Sequence, residues 1–316
     1  MSISQFLRFV DIRTKFTSIL PVLLGVFYTI YYFGTFNLLN TLLFFIAAVL
    51  LDFTTTSINV LVDYQTAASE EFKKEHNIIG RENISEKLVV VYIYIMLILY
   101  FILGLILVFR TNLVLLPIGI ICSIIAITYT YGPLPISRMP LGELFSGPPL
   151  GFGIIFIAIF VNYRDSLILA LNFQNSTFML QGDWLTILAI FFVSLPQVLL
   201  ISNIVLANNI CDLKQDIENN RFTIVFHIGK EKSIQLYNWL TYGSYVLFLV
   251  PIFMGWLPLI MLLVYPTVFF AHKQVQLFNN KQEKAETFIT SVKSFLAFTL
   301  VELLLFVVVI SWAWLS

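Results

Sequence analysis

The stretch Leu206-Ala-Asn-Asn-Ile-Cys-Asp-Leu-Lys-Gln-Asp216 places Asn208, Asp212 and Asp216 four residues apart in turn, immediately after a long apolar run. On a helix that spacing lines all three along one face. Gln197, eleven residues before Asn208, falls on nearly the same face. A second polar stripe comes earlier: Asp52, Thr56, Asn59 and Asp63 are separated by four, three and four residues. Two facing helix ends that carry carboxylates suit a hard cation. Mg²⁺ takes oxygen ligands, keeps several waters and lets substrate phosphates complete its shell. Candidate phosphate partners are Arg81, Arg138, Lys214 and Arg221, since arginine matches phosphate with two parallel hydrogen bonds. Pro133, Pro135 and Pro140 exclude a helix over 132–140, and a fixed loop there would aim Tyr129, Tyr131 and Arg138 at the same mouth. Lys230, Lys232, Lys281 and Lys284 read as solvated loop charges. His76, His227 and His272 have no metal-ligand spacing.

These residues must be positioned by a membrane protein. The chain of 316 residues is 59% hydrophobic and 11% charged, where a soluble domain has roughly a quarter charged residues. Mean hydropathy is +0.90. Apolar runs long enough to cross a bilayer recur at about 16–34, 39–63, 88–109, 113–131, 143–162, 184–210, 234–254, 256–272 and 291–315. The expectation is an all-α, polytopic bundle of nine transmembrane helices forming one domain, with no cleavable signal peptide. Asp52 then lies within the bilayer, where acids face a cavity or a partner.

Charge sets the orientation. With the N-terminus in the cytoplasm, the inner segments hold every Lys and Arg except Arg110 and Arg164, or 16 of 18. The C-terminus is then outside. The long polar connections 64–87, 132–142, 211–233 and 273–290 face the cytoplasm, and 163–183 is the one long outer loop. No basic surface interleaved with aromatics points to nucleic acid. Cys122 and Cys211 make no disulfide framework. Asn83-Ile-Ser and Asn175-Ser-Thr match the glycosylation pattern by chance.

The motifs resemble the UbiA superfamily of intramembrane prenyltransferases, and most of all its 1,4-dihydroxy-2-naphthoate prenyltransferases. Leu206, Ala207, Asn208, Asn209, Asp212, Asp216, Arg221 and Thr223 match the second Asp-rich motif. Tyr129, Gly132, Pro133 and Arg138 match the Tyr-Thr-x-Gly-Pro segment, and Asn59, Asp63 and Tyr64 match the first motif. The resemblance implies a polyprenyl diphosphate bridged by Mg²⁺ to Asp63, Asp212 and Asp216. Asn59, Asn208, Arg81, Arg138 and Lys214 would orient or neutralise it. The allylic carbon would join an aromatic ring, and loss of carbon dioxide and a proton would give a demethylmenaquinol.

The first motif departs from the pattern. It usually carries a further acid three or four residues after Asp63, where this chain has Thr66 and Ala67. If the helix continued two more turns, Glu70 would return to the face of Asp63 and replace that ligand; otherwise Glu70 and Glu71 are loop charges beside Lys73 and Lys74. Asp52, deeper on the same stripe, would face the acceptor. The competing readings are 4-hydroxybenzoate or another ring as acceptor, an altered paralogue, and a transporter using Asp52.

Overall fold

The computed structural model describes residues 1–67, 70–133, 135–163, 168–174 and 176–315. Arg164 and Asn175, used above in the charge and glycosylation readings, lie outside them.

The chain is mostly helical. In order, the helices are α1 (Ile3–Phe9), α2 (Phe16–Tyr28), α3 (Leu38–Thr66), α4 (Ile78–Arg81), α5 (Glu86–Arg110), α6 (Leu115–Thr128), α7 (Gly142–Pro148), α8 (Ile154–Asn162), α9 (Trp184–Cys211), α10 (Leu213–Glu218), α11 (Ile224–Ile228), α12 (Lys230–Phe253), α13 (Thr267–Asn280) and α14 (Ile289–Leu315). Wide π turns prolong α2 through Phe33 and join α7 to α8 across Pro149–Gly153. Among the described residues, seven segments are long and apolar enough to cross a membrane: Phe16–Phe33, α3, α5, Gly142–Asn162, α9, α12 and α14. The expected span 113–131 is the shorter apolar helix α6. The expected span 256–272 is broken into a 3₁₀ segment, Leu259–Val264, and α13, as Pro258 and Pro266 require.

The all-α expectation needs one correction. The connection 163–183 holds a β-hairpin, Leu169–Gln174 paired antiparallel with Thr177–Gly182. The amide of Leu171 donates to Asn112 Oδ1 at 3.1 Å, tying the hairpin to the turn between α5 and α6.

Helix ends follow local chemistry. Asn37 caps α3 by accepting from the Asn40 amide, and Asp183 caps α9 by accepting from the amides of Leu185 and Thr186. The close meeting of α7 with α9 depends on Gly147 and Gly151. A Cβ on Gly147 would stand 1.9 Å from Ser202 Oγ, and one on Gly151 would stand 2.5 Å from the Val198 nitrogen. Small residues four apart let backbones approach where lipid offers no hydrophobic drive.

Two buried polar clusters knit the bundle. Lys15, 3% exposed, donates to Asp52 Oδ1 at 2.7 Å and to Thr56 Oγ1 at 2.5 Å, and Ser18 Oγ donates to Asp52 Oδ2 at 2.6 Å. Deeper, Gln197 Nε2 donates to Glu302 Oε2 at 2.9 Å while Thr299 Oγ1 donates to Gln197 Oε1 at 2.9 Å. Phe16 meets Phe295, and Tyr28 meets Phe306, so Glu302 lies level with the middle of α2.

Candidate active site

The polar residues converge at one end of the bundle, where α3 and α9 finish. Thr66 is the last residue of α3, and Ala67 turns away with ψ 132°. Asp212 caps α9, and α10 carries on from it with the Asp216 amide bonded to the Asp212 carbonyl at 2.8 Å. The chain then reverses. Asn220 adopts φ +54°, and the Arg221 amide donates to the Asp216 carbonyl at 2.8 Å. Asparagine tolerates that left-handed conformation better than most residues. The Phe222 amide donates to the Arg138 carbonyl at 3.0 Å, and the Ser137 amide to the Tyr129 carbonyl at 2.7 Å. The proline-bounded loop is thereby clipped to the segment after α10.

Two arginines meet two aspartates, Asp63 and Asp216, as a result. Arg138 Nη2 donates to Thr66 Oγ1 at 2.7 Å and lies 3.7 Å from Asp63 Oδ1. Arg221 lies 4.0 Å from Asp63 Oδ2 and, through Nε, 3.4 Å from Asp216 Oδ1. A cavity of about 150 Å³ opens between them, lined by Asp63, Thr66, Ala67, Arg138, Asp212, Gln215, Asp216, Asn219 and Arg221. Burial pushes the Asp216 carboxyl up to about 6, against the pull of Arg221. Its Oδ2 is buried without a hydrogen-bond partner, as is Arg221 Nε. A buried orphan acceptor costs about 1–3 kcal/mol, so this rim is incomplete without a ligand.

The donor set fits Mg²⁺ in kind: hard carboxylate oxygens, one of them orphaned, beside cations that accept phosphate. Among the described residues no three His, Cys, Asp or Glu side chains form one cage. Asp212 and Asp216 are one flank and Asp63 the other, with Arg221 between.

Not every expected site residue reaches this cavity. Asn59, one turn before Asp63, is half-buried and outside the lining, and Tyr131 is exposed. The Tyr129 hydroxyl lies against Gly142, 3.6 Å from where a Cβ would stand. Arg81 and Lys214 are exposed at α4 and on α10, outside the cavity lining. Glu70 requires a correction. The helix stops at Thr66 instead of running on, so Glu70 does not return to the face of Asp63; it is exposed and pairs with Lys73 at 3.4 Å. Asp52 requires another. It sits level with the start of α2, closed off by Lys15 and Ser18, and does not line the cavity.

Three residues were missed by sequence reasoning. Lys284, read as solvated, donates to Asn208 Oδ1 and, at 2.5 Å, to Asp212 Oδ2. Thr66, at a position of the absent acid, anchors Arg138. Glu143, 9% exposed, accepts from Asn209 Nδ2 at 2.9 Å and keeps Oε2 unpartnered. Only Glu143 left a signal, an acid just beyond the proline-rich loop at the start of an apolar run.

The UbiA prenyltransferase family model matches residues 18–299. The 1,4-dihydroxy-2-naphthoate octaprenyltransferase of Bacillus subtilis (strain 168) is 31% identical over 119 residues, 38% of this chain. That stretch spans 32% of the relative's length. The fold matches that of a UbiA homologue from Archaeoglobus fulgidus bound to DMAPP and Mg²⁺, with TM-score 0.67, 12% identity and coverage of 97% of this chain and 99% of that one. It also matches an apo UbiA homologue from Aeropyrum pernix K1, with TM-score 0.67, 16% identity and coverage of 92% and 98%. A model matched over nearly the whole length, on a bundle of apolar helices with both acidic helix ends at one mouth, establishes that this integral membrane protein belongs to the UbiA prenyltransferase family.

Proposed function

We propose that the chain transfers a polyprenyl group from its diphosphate to 1,4-dihydroxy-2-naphthoate, with Mg²⁺ as cofactor. The observation that carries this reading is the cavity in which Asp212 and Asp216 face Asp63 across Arg221. Naphthoate as acceptor draws support from the partial likeness to the Bacillus subtilis enzyme. Mg²⁺ draws support from the orphaned Asp216 oxygen and from the metal bound in the Archaeoglobus fulgidus homologue.

Asp212, Asp216 and Asp63 would hold the metal, which when bound supplies a Lewis acid for the diphosphate oxygens. Arg138 and Arg221 neutralise charge that builds on the departing pyrophosphate, and they need no reorganisation because backbone bonds already hold both segments. The C–O bond of the allylic diphosphate breaks, and a C–C bond forms to the electron-rich ring. Carbon dioxide and a proton leave the ring, and pyrophosphate leaves at the mouth. The apolar helices around the tail keep water from the electrophilic carbon.

The same reading places all nine apolar segments across the bilayer, with α6 and the broken 259–280 segment as the two short crossings. It puts the N-terminus and the acidic mouth in the cytoplasm and the hairpin outside, which agrees with the 16 of 18 cationic side chains assigned inside. Family membership favours this reading over the transporter.

The test is a membrane-fraction assay with one labelled prenyl diphosphate and a panel of acceptors. Lipid-soluble label formed with 1,4-dihydroxy-2-naphthoate and abolished by chelator is the expected result. Product with 4-hydroxybenzoate alone would overturn the acceptor, and equal product in excess chelator would overturn the metal.

A further inference from the structure

Every cation at the mouth is held in a different way. Arg138 and Arg221 come from segments bonded to each other through the Phe222 amide, and both face Asp63. Lys281 is engaged locally with Glu283 at 2.9 Å and Glu286 at 2.8 Å. Lys284 alone is carried from the 281–288 segment to the second acidic motif, 72 residues away.

Its ammonium takes the amide oxygen of Asn208 and a carboxylate oxygen of Asp212. Both are hard oxygen donors of the type a divalent cation needs. An ammonium and a divalent cation held at those two oxygens repel each other and compete for them. Yet the Lys284 side chain is 48% exposed, and its ammonium lies 5.2 Å from the centre of the Phe288 ring. Exposed pairs of this kind are weak. Asp212 itself is only 19% exposed and makes no arginine ion pair among the described residues.

We infer that Lys284 is a resident counter-cation of the second motif. It neutralises Asp212 and donates to Asn208 in the metal-free protein, yields both when a divalent cation enters with a diphosphate, and then donates to the diphosphate oxygens from the same rim. Lys284 is thus a substrate-positioning residue that opposes metal alone and favours metal with diphosphate. This rests on the metal–diphosphate reading above.

The test uses the purified full-length protein in detergent, followed by thermal unfolding. The first readout is the Mg²⁺ concentration that half-saturates stabilisation. The second is the concentration of inorganic pyrophosphate that half-saturates further stabilisation at fixed, saturating Mg²⁺. Lys284→Met keeps the apolar stem and removes the charge. It should lower the first midpoint roughly two- to fivefold, the range of an exposed pair, and raise the second by a similar factor. Lys281→Met, on the same segment, should change neither. The inference requires both shifts; if either is absent, or if Lys281→Met reproduces them, it fails. Asp212→Asn separates this from failure of the underlying reading. If Asp212→Asn abolishes the Mg²⁺ response while Lys284→Met leaves both midpoints unchanged, only the role of Lys284 is lost. If Asp212→Asn responds to Mg²⁺ and pyrophosphate as the unaltered protein does, the metal–diphosphate reading fails with it.

Discussion

Lys15 and Asp52 form an ion pair 2.7 Å long inside the bundle, with side-chain exposures of 4% and 17%. Removing one member strands the other. Breaking a buried pair costs about 3–5 kcal/mol, while replacing both members with apolar side chains is often neutral. Asp52→Ala should therefore lower the unfolding temperature in detergent, and Lys15→Met with Asp52→Leu should recover most of the loss. The double variant should retain turnover, because neither residue lines the cavity. Loss of turnover in a stable double variant would return Asp52 to the acceptor.

Asp212→Asn and Asp216→Asn should each reduce turnover by about a hundredfold or more, the scale of losing a preorganised electrostatic element. Asparagine keeps the shape and removes the charge. The variants should insert and unfold normally. Near-full activity in both would exclude the carboxylates from catalysis.

Arg138→Lys should raise the KM for prenyl diphosphate about tenfold, in line with a charged hydrogen bond worth about 1.5 kcal/mol. A lysine has no planar fork with which to hold Thr66 and address Asp63 together. Steady-state kinetics with the diphosphate as varied substrate decides this; unchanged KM and kcat would place Arg138 in folding alone.

Gly147→Ala should destabilise the fold by about 3 kcal/mol, at the upper end of overpacking. Its Cβ would stand 1.9 Å from Ser202 Oγ and 2.6 Å from the Val198 carbonyl. Adding Ser202→Ala should rescue only part, because the Val198 carbonyl belongs to the backbone. Full rescue in thermal unfolding would show that α9 can yield.

The Asp183 cap gives a pH dependence. Its hydrogen bond from the Thr186 hydroxyl, with backbone bonds from Thr186 and Leu185, holds the carboxyl below its ordinary value of 3.8. A depressed carboxylate pKa contributes stability that is present in full above that ordinary value and is lost as pH falls through the folded one. Asp183→Ala should cost about 1 kcal/mol at neutral pH, and the difference from the unaltered protein should shrink below about pH 3.8. A constant difference across that range would mean the cap acts without its charge.

The acidic motifs and the apolar segments were legible because both obey local periodicity. Asn208, Asp212 and Asp216 share a face by spacing alone, and α10 continues α9 closely enough to keep that order. Glu70 illustrates the limit. Its placement depended on whether the helix outlived Thr66, and helix ends are set by tertiary contact as much as by propensity. Here Thr66 is bonded to Arg138, and the chain departs at Ala67. Lys284 and Lys15 were illegible for another reason. A lysine in a polar loop has the same local sequence whether it is solvated or delivered to an acid 72 residues away. The hairpin was missed because its strands, Leu169–Gln174 and Thr177–Gly182, are short and follow a polar stretch.

The reversal between Asp216 and Arg221 has a mechanical side. The Arg221 amide is latched to the Asp216 carbonyl, and Asn220 sets the crease with its positive φ. Acid and guanidinium therefore ride on one small clip. This wall of the mouth is built as one unit in which the acid and its counter-charge keep a fixed relation. The opposite wall, Asp63, is set instead on the long helix α3. The mouth is thus bounded by a charge-balanced pair on one side and by an acid faced by Arg138 and Arg221 on the other.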